Sequence, residues 1–251
     1  MTTARLRPAE ELAAEAVRGD AARLSGDGAP LPNSPAATGA FGYPVFLELR
    51  GRTVLVAGGG AEAAGKVLGL LGVGAHIVVW AARHDQTAAF DADDQVELVA
   101  GPFDARLLDD AAIAIVATGD RGLDREIAAI ARTARVLVNT MDDIPNCDWS
   151  APAILRRGDL TIAIGTGGIA PALAVRIRDR AARDVGPEYG VLLALFGEVR
   201  PRIMATGRPF RDRRRLWYGL VDGPALRLLR DGDEAGARRA VEEAMAAWLA
   251  A

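Results

Sequence analysis

The sequence predicts a doubly wound α/β domain followed by a helical region. Three observations carry this. Short continuous apolar runs alternate with helical patterns, the first run ends in clustered glycines, and no strand pattern recurs after Pro187. Unbroken apolar runs between helices mark strands of a parallel sheet that is covered on both faces. A glycine-rich turn from the first strand into its helix is the characteristic joint of such sheets.

Residues 1–42 read as an N-terminal appendage. Ala9–Leu24 has a helical pattern, and Ser25–Gly42 is rich in Gly, Pro, Ser and Ala, as linkers are. The enzyme-like part begins at Tyr43–Arg52. Thr53–Gly58 (TVLVAG) is the first strand, and Glu62–Gly74 is a helix that closes at Gly72 and Gly74. His76–Ala81, Val96–Gly101, Ala112–Thr118 and Arg135–Met141 are four more strands. Leu123–Ala134 is an amphipathic helix between the last two. Asp159–Gly168 carries another strand that ends in glycines. Ala170–Val185 is a long Arg-studded helix with Pro171 in its first turn. From Pro187 onward the chain reads as helices. The expected division is 43–149 for the sheet domain, 150–186 for a short central segment and 187–251 for a helical C-terminal domain.

Composition bounds the function. Of 251 residues, 50% are hydrophobic and 25% charged, enough to build a packed core. A net charge of -3 argues against a general nucleic-acid binder. The single cysteine, Cys147, excludes an intrachain disulfide and fits a reducing compartment. The N-terminus has no apolar signal region, and no stretch has the length of a membrane span. A cytoplasmic, soluble protein is the expectation, with no membrane or nucleic-acid partner.

The stretch VLVAGGGAEAAGKV (Val54–Val67) fits two phosphate-binding patterns. Gly58-x-Gly60-x-x-Ala63 fits a dinucleotide turn, and Gly60-x-x-x-x-Gly65-Lys66 fits most of a P-loop. Both set phosphate on a helix N-terminus. A P-loop needs Ser or Thr after its lysine to hold Mg²⁺, and Val67 cannot do this. The dinucleotide reading stands, and the domain is Rossmann-like. Candidate cofactor contacts are Gly58, Gly59, Gly60, Ala61 and Glu62. Ala82 and Arg83 after the second strand, and Thr118 and Gly119 after the fourth, complete the set. The acid that would grip the adenosine ribose is not evident: Trp80 and Ala81 stand in its place. Asp85 is a late candidate, while Arg83 and His84 would suit a 2′-phosphate, so NAD and NADP both remain open.

Ligands of open α/β sheets bind at the carboxyl ends of strands. Asn139, Asp142 and Asp143 follow the fifth strand, and Thr166, Gly167 and Gly168 follow the later one. An Asp beside an enclosed cofactor suits a general base; spacing alone favours a solvated turn that caps a helix. Lys66 is the only lysine in the chain. A solvated helix face or a substrate contact would each explain it.

The runs PVFLELRGRTVLVAGGG, GPFD and VNTMDDIPNCDWSAPAILRRGDLTIAIGTGGIAPALAVRIRD resemble the precorrin-2 dehydrogenases of siroheme and cobalamin synthesis. That family includes the N-terminal half of siroheme synthase and the yeast bifunctional dehydrogenase/ferrochelatase. The resemblance covers about Tyr43–Asp184 well and the C-terminal helices loosely. It implies an NAD⁺-dependent oxidation of precorrin-2 to sirohydrochlorin. It also implies a Rossmann domain, a central dimerisation segment, a helical C-terminal domain and a homodimer. The family's N-V-x-D motif falls on Asn139–Asp142, which makes Asp142 the proton acceptor. Lys66, Asn139, Arg156, Arg157, Thr166, Gly167 and Gly168 become candidate substrate contacts, since a polycarboxylate tetrapyrrole needs cations and Arg binds carboxylates in bidentate fashion. Arg176 is a further candidate; Arg178 and Arg180 read better as solvated. No separate metal cluster is expected. Two alternatives remain: a bifunctional enzyme that also inserts Fe²⁺, and a dinucleotide-binding dimer without catalysis. Gly65, Gly119, Asp124 and Ile169-Ala170 depart from the family's usual residues.

Overall fold

In the computed structural model the chain divides into two compact units, Met1–Thr38 and Gly39–Ala251. The structure describes residues 41–83, 90 and 95–251. The predicted helix at 9–24 and the candidates His84 and Asp85 lie outside the described residues.

The second unit opens with a five-stranded parallel sheet in the order β3-β2-β1-β4-β5. The strands are β1 (Thr53–Ala57), β2 (His76–Ala81), β3 (Val96–Ala100), β4 (Ala111–Val116) and β5 (Leu137–Thr140). β1, β2 and β4 are buried over nearly their whole lengths, which is why their sequences read as unbroken apolar runs. β3, at an edge, is only partly buried. Chain order reverses between β1 and β4, so the crevice for a ligand opens above their carboxyl ends.

Helix α1 (Ala61–Leu71) covers one face through Ala63, Val67 and Leu70. Helix α2 (Arg121–Thr133) covers the other through Ile127, Ala128 and Ala131. Between β3 and β4 a single 3₁₀ turn, Ala105–Leu108, does the work of a helix. Asp104 caps that turn by accepting from the Arg106 N–H at 2.9 Å, and Leu108 is buried. The Arg106 guanidinium beside Asp104 holds its carboxyl down at about 2.

The structure adds a strand that the sequence pattern hides. β6 (Ala153–Arg157) pairs antiparallel with β7 (Leu160–Ile164) through the turn Gly158–Asp159. Its apolar run is three residues long and ends in two arginines, too short to read as a strand alone. Helices α3 (Pro171–Asp184), α4 (Glu188–Ala205), α5 (Phe210–Val221), α6 (Ala225–Arg230) and α7 (Glu234–Ala250) follow. The last four enclose their own apolar core around Ile203, Leu220, Val241 and Met245. Ion pairs Arg202–Glu242 and Arg238–Glu198 tie α4 to α7 on the surface; exposed pairs contribute little, so apolar burial holds this bundle together.

Ile203 is 0% exposed. Ile203→Ala is therefore expected to destabilise the protein by about 2–5 kcal/mol, read by urea unfolding.

Candidate active site at the carboxyl edge of the sheet

Gly58 makes the turn from β1 into α1. Its φ is +140°, and an added Cβ would lie 2.0 Å from the carbonyl oxygen of Ala117. No side chain fits there. Gly60 precedes α1 in extended geometry, and no side chain caps the helix. Among the described residues, therefore, no side chain takes up the first N–H groups of α1, and the space beside Gly60 is open. This is the cradle that a pyrophosphate requires. Ala63 is fully buried against the sheet, and so is most of Val67. The residue that would hold Mg²⁺ in a P-loop is thus a core residue, which argues against the P-loop reading.

The end of β4 forms the adjacent wall. The buried carboxylate of Asp124 accepts from the Thr118 N–H at 3.0 Å and from its hydroxyl at 2.6 Å. The Thr118 hydroxyl in turn accepts from the Asp120 N–H. Asp120 caps α2 through the N–H groups of Gly122 and Leu123. Thr118 and Gly119 are thereby fixed beside the glycine turn: the Cβ position of Gly58 lies 3.1 Å from Thr118 N.

β5 contributes the acids. The Met141 N–H donates to the Val116 carbonyl at 2.9 Å, so the chain leaves β5 level with the end of β4. Asp142 then sits in the left-handed region at φ +54° and is exposed. Few residue types adopt this conformation, and Asp is among those that do. Its neighbour Asp143 is committed elsewhere. Asp143 accepts from Asn146 Nδ2 at 2.9 Å and from Arg125 Nε at 2.9 Å. Those bonds, with Asn146's the larger effect, hold its carboxyl below the ordinary carboxylate range. Of the two acids, Asp142 makes no hydrogen bond or ion pair among the described residues.

The glycine loop after β7 closes on the same turn. At Gly168, φ is +78°, and an added Cβ would stand 2.9 Å from Ile144 Cδ1 and 3.5 Å from Phe41. Gly168 therefore packs against the residue two places beyond Asp142. The Thr166 hydroxyl accepts from the Ala170 N–H and steadies the entry to α3.

Other predicted contacts are placed differently. Asn139 is buried and donates to the Trp149 carbonyl at 2.8 Å, so its amide braces the chain. Lys66 is half-buried in the second turn of α1 and makes no ion pair among the described residues. Arg83 stands exposed at the end of β2 beside Ala82. Arg156 and Arg157 are not brought to the crevice within one chain. Arg157 donates to the carbonyls of Val185 and Ala182 and caps the end of α3. Arg156 Nη1 lies 3.8 Å from the Cβ position of Gly72, at the far end of α1. Eleven helical residues put that point about 16 Å from the glycine turn. Sequence reasoning also missed Arg125, whose partner Asp143 is eighteen residues away, and Cys147, whose thiol lies inside the turn. Among the described residues no cluster of His, Cys, Asp and Glu is arranged to hold a metal, and no helix is long and apolar enough to cross a membrane.

Comparison with known proteins agrees with this arrangement. Three family models match in succession: NAD(P)-binding over 45–153, the siroheme biosynthesis protein central region over 157–182, and the siroheme synthase dimerisation region over 188–245. Together these matches make the chain similar to siroheme synthases. Siroheme synthase of Chromobacterium violaceum is 34% identical over 206 residues, which is 82% of this chain and 44% of that protein. Siroheme synthase of Gluconacetobacter diazotrophicus is 34% identical over 209 residues, or 81% and 44%. The chain thus spans less than half the length of these siroheme synthases. The solved structure of SirC, a precorrin-2 dehydrogenase, matches with a TM-score of 0.61 at 25% identity, covering 80% of this chain and 99% of its own. The NAD(P)-binding match and the glycine turn support a nicotinamide dinucleotide as cofactor.

Two outcomes follow from the geometry. Gly58→Ala is expected to abolish dinucleotide binding in titration calorimetry, because its methyl group collides with the backbone of Ala117. The lowered Asp143 stabilises the fold above the ordinary aspartate value of about 3.9 and ceases to as pH falls through its lowered one. The melting-temperature gap between wild type and Asp143→Asn is therefore expected to be largest above about pH 5 and to close under acid.

Proposed function

We propose that this protein oxidises precorrin-2 to sirohydrochlorin with NAD⁺ and that Asp142 is the general base. The observation that carries this reading is the meeting of the glycine turn and the unpaired Asp142 at one edge of the sheet. The name and fold of the SirC neighbour supply the substrate class.

Oxidation removes a hydride and a proton from the macrocycle. A bound dinucleotide would supply the hydride acceptor. Gly58, Gly59, Gly60, Ala61 and Glu62 would hold its pyrophosphate at the N-terminus of α1, and Thr118 and Gly119 would border it. Asp142 Oδ takes the proton. Its neighbour Asp143 is tied through Oδ2 to Asn146 and Arg125. Loop 166–168 and Lys66 flank the macrocycle. Arg176, exposed beyond that loop and without an ion pair among the described residues, supplies charge for its carboxylates.

We also infer a homodimer. α3 buries only Ala174, while Leu173, Val175 and Ile177 are 53%, 39% and 43% exposed. Exposed apolar side chains gathered on an otherwise Arg-rich helix point to a partner surface. The dimerisation match on the helices that follow makes a second copy of this chain that partner. The division at 43–149, 150–186 and 187–251, and a cytoplasmic location, complete the reading.

The test is an anaerobic spectrophotometric assay with precorrin-2 and NAD⁺, NADP⁺ or neither, with Fe²⁺ added afterwards to detect metal insertion. NAD⁺-dependent formation of sirohydrochlorin is expected; no turnover with either dinucleotide in a protein that binds one overturns the reading. Asp142→Asn is expected to lower kcat roughly 10²–10⁴-fold, the usual worth of a general base, with NAD⁺ affinity unchanged.

A further inference from the structure

β5 is an edge strand, and its outer backbone groups face no further strand. The returning segment Cys147–Trp149 covers them, largely with side chains. The Trp149 indole donates to the Leu137 carbonyl at 3.3 Å. The Asp148 carboxylate accepts from the Val138 N–H at 3.0 Å, and the Asp148 N–H donates to the Val138 carbonyl at 2.7 Å. Cys147 completes the series at Thr140. Its Sγ accepts from the Thr140 N–H at 3.2 Å and donates to the Thr140 carbonyl at 3.1 Å. The Asp143 carbonyl lies 3.4 Å from the same sulfur, and Asn139 Nδ2 lies 3.7 Å away.

The thiol therefore stands where a neighbouring strand's N–H and C=O would stand. It also closes the loop from Thr140 to Cys147, in which Asp142 holds its left-handed φ. A residue in that conformation persists only when its surroundings fix it. The other ties within the loop, none of them to Asp142, are Thr140 Oγ1 to the Asn146 carbonyl at 2.9 Å, Asn146 Nδ2 to Asp143 Oδ2 at 2.9 Å, the Asn146 N–H to the Asp143 carbonyl at 2.8 Å and the Cys147 N–H to the Ile144 carbonyl at 3.0 Å. Burial pushes the Cys147 thiol up, so the proton it donates stays in place at neutral pH.

We propose that Cys147 is a positioning residue: its thiol pairs with both backbone groups of Thr140 and so fixes the turn that presents Asp142. This rests on the base role given to Asp142. The pairing itself is independent of any substrate.

The test uses the full chain with Cys147→Ala and Cys147→Ser. Amide hydrogen exchange is measured without substrate, and kcat and KM with precorrin-2 and NAD⁺. In Cys147→Ala the Thr140 amide is expected to exchange at least about tenfold faster, with the amides of β1 and β4 unchanged. Its kcat is expected to fall about 10–100-fold, as small misplacements of a reacting group do, with both KM values held. Cys147→Ser, which restores a donor and acceptor, is expected to recover part of each. Unchanged Thr140 exchange in Cys147→Ala overturns the pairing, whether or not the wild type oxidises precorrin-2. Faster exchange with kcat intact, or with KM raised instead, overturns the positioning role and leaves the function of Asp142 untouched.

Discussion

The missing Cβ at residue 58 sets the geometry on which the site depends. With 2.0 Å to the Ala117 carbonyl, only glycine lets β1 and β4 run side by side to their ends and then part. That contact brings Thr118 within reach of the glycine turn. The sheet order then does the rest. Strands β4 and β5 extend the wall, and the turn after β5 comes level with the cofactor cradle through the Met141–Val116 hydrogen bond. A change that pushed β1 away from β4 would disturb the proposed cofactor cradle and the proposed base together, although neither Asp142 nor Thr118 lies on β1.

Two adjacent aspartates have been given opposite jobs by their surroundings. Asp143 is held by an amide and a guanidinium and serves the fold. Asp142, one residue earlier, is turned outward by an unusual φ and remains unpaired among the described residues. Neighbours on α2 and in the turn pair Asp143 and leave Asp142 without a hydrogen bond or ion pair among the described residues. The buried Asp124 plays the corresponding structural part at β4, where it satisfies the Thr118 N–H and hydroxyl from inside the protein.

Much of this was legible in the sequence because it rests on local rules. The strands at 53–57, 76–81 and 111–116 are buried on both faces, so their runs are apolar throughout. The glycine turn announced itself through spacing, and Val67 decided against the P-loop because a core position must be apolar. What stayed hidden depends on partners distant in the chain. β6 has a short apolar run and gains its identity from β7. Arg157 looks like a carboxylate binder until α3 is seen to end against it. Cys147 looks inert until the bare edge of β5 is drawn beside it. Side chains that replace a missing strand have no periodicity to betray them.

The account rests on one claim above all, that the glycine turn and Asp142 belong to a single site. Crystals of the protein grown with NAD⁺ test it directly. The account predicts density for the pyrophosphate on the N–H groups of residues 60–62 and for the nicotinamide ring at the ends of β4 and β5, beside Asp142. A dinucleotide bound away from the glycine turn, or one whose nicotinamide points away from the β5 turn, would contradict it.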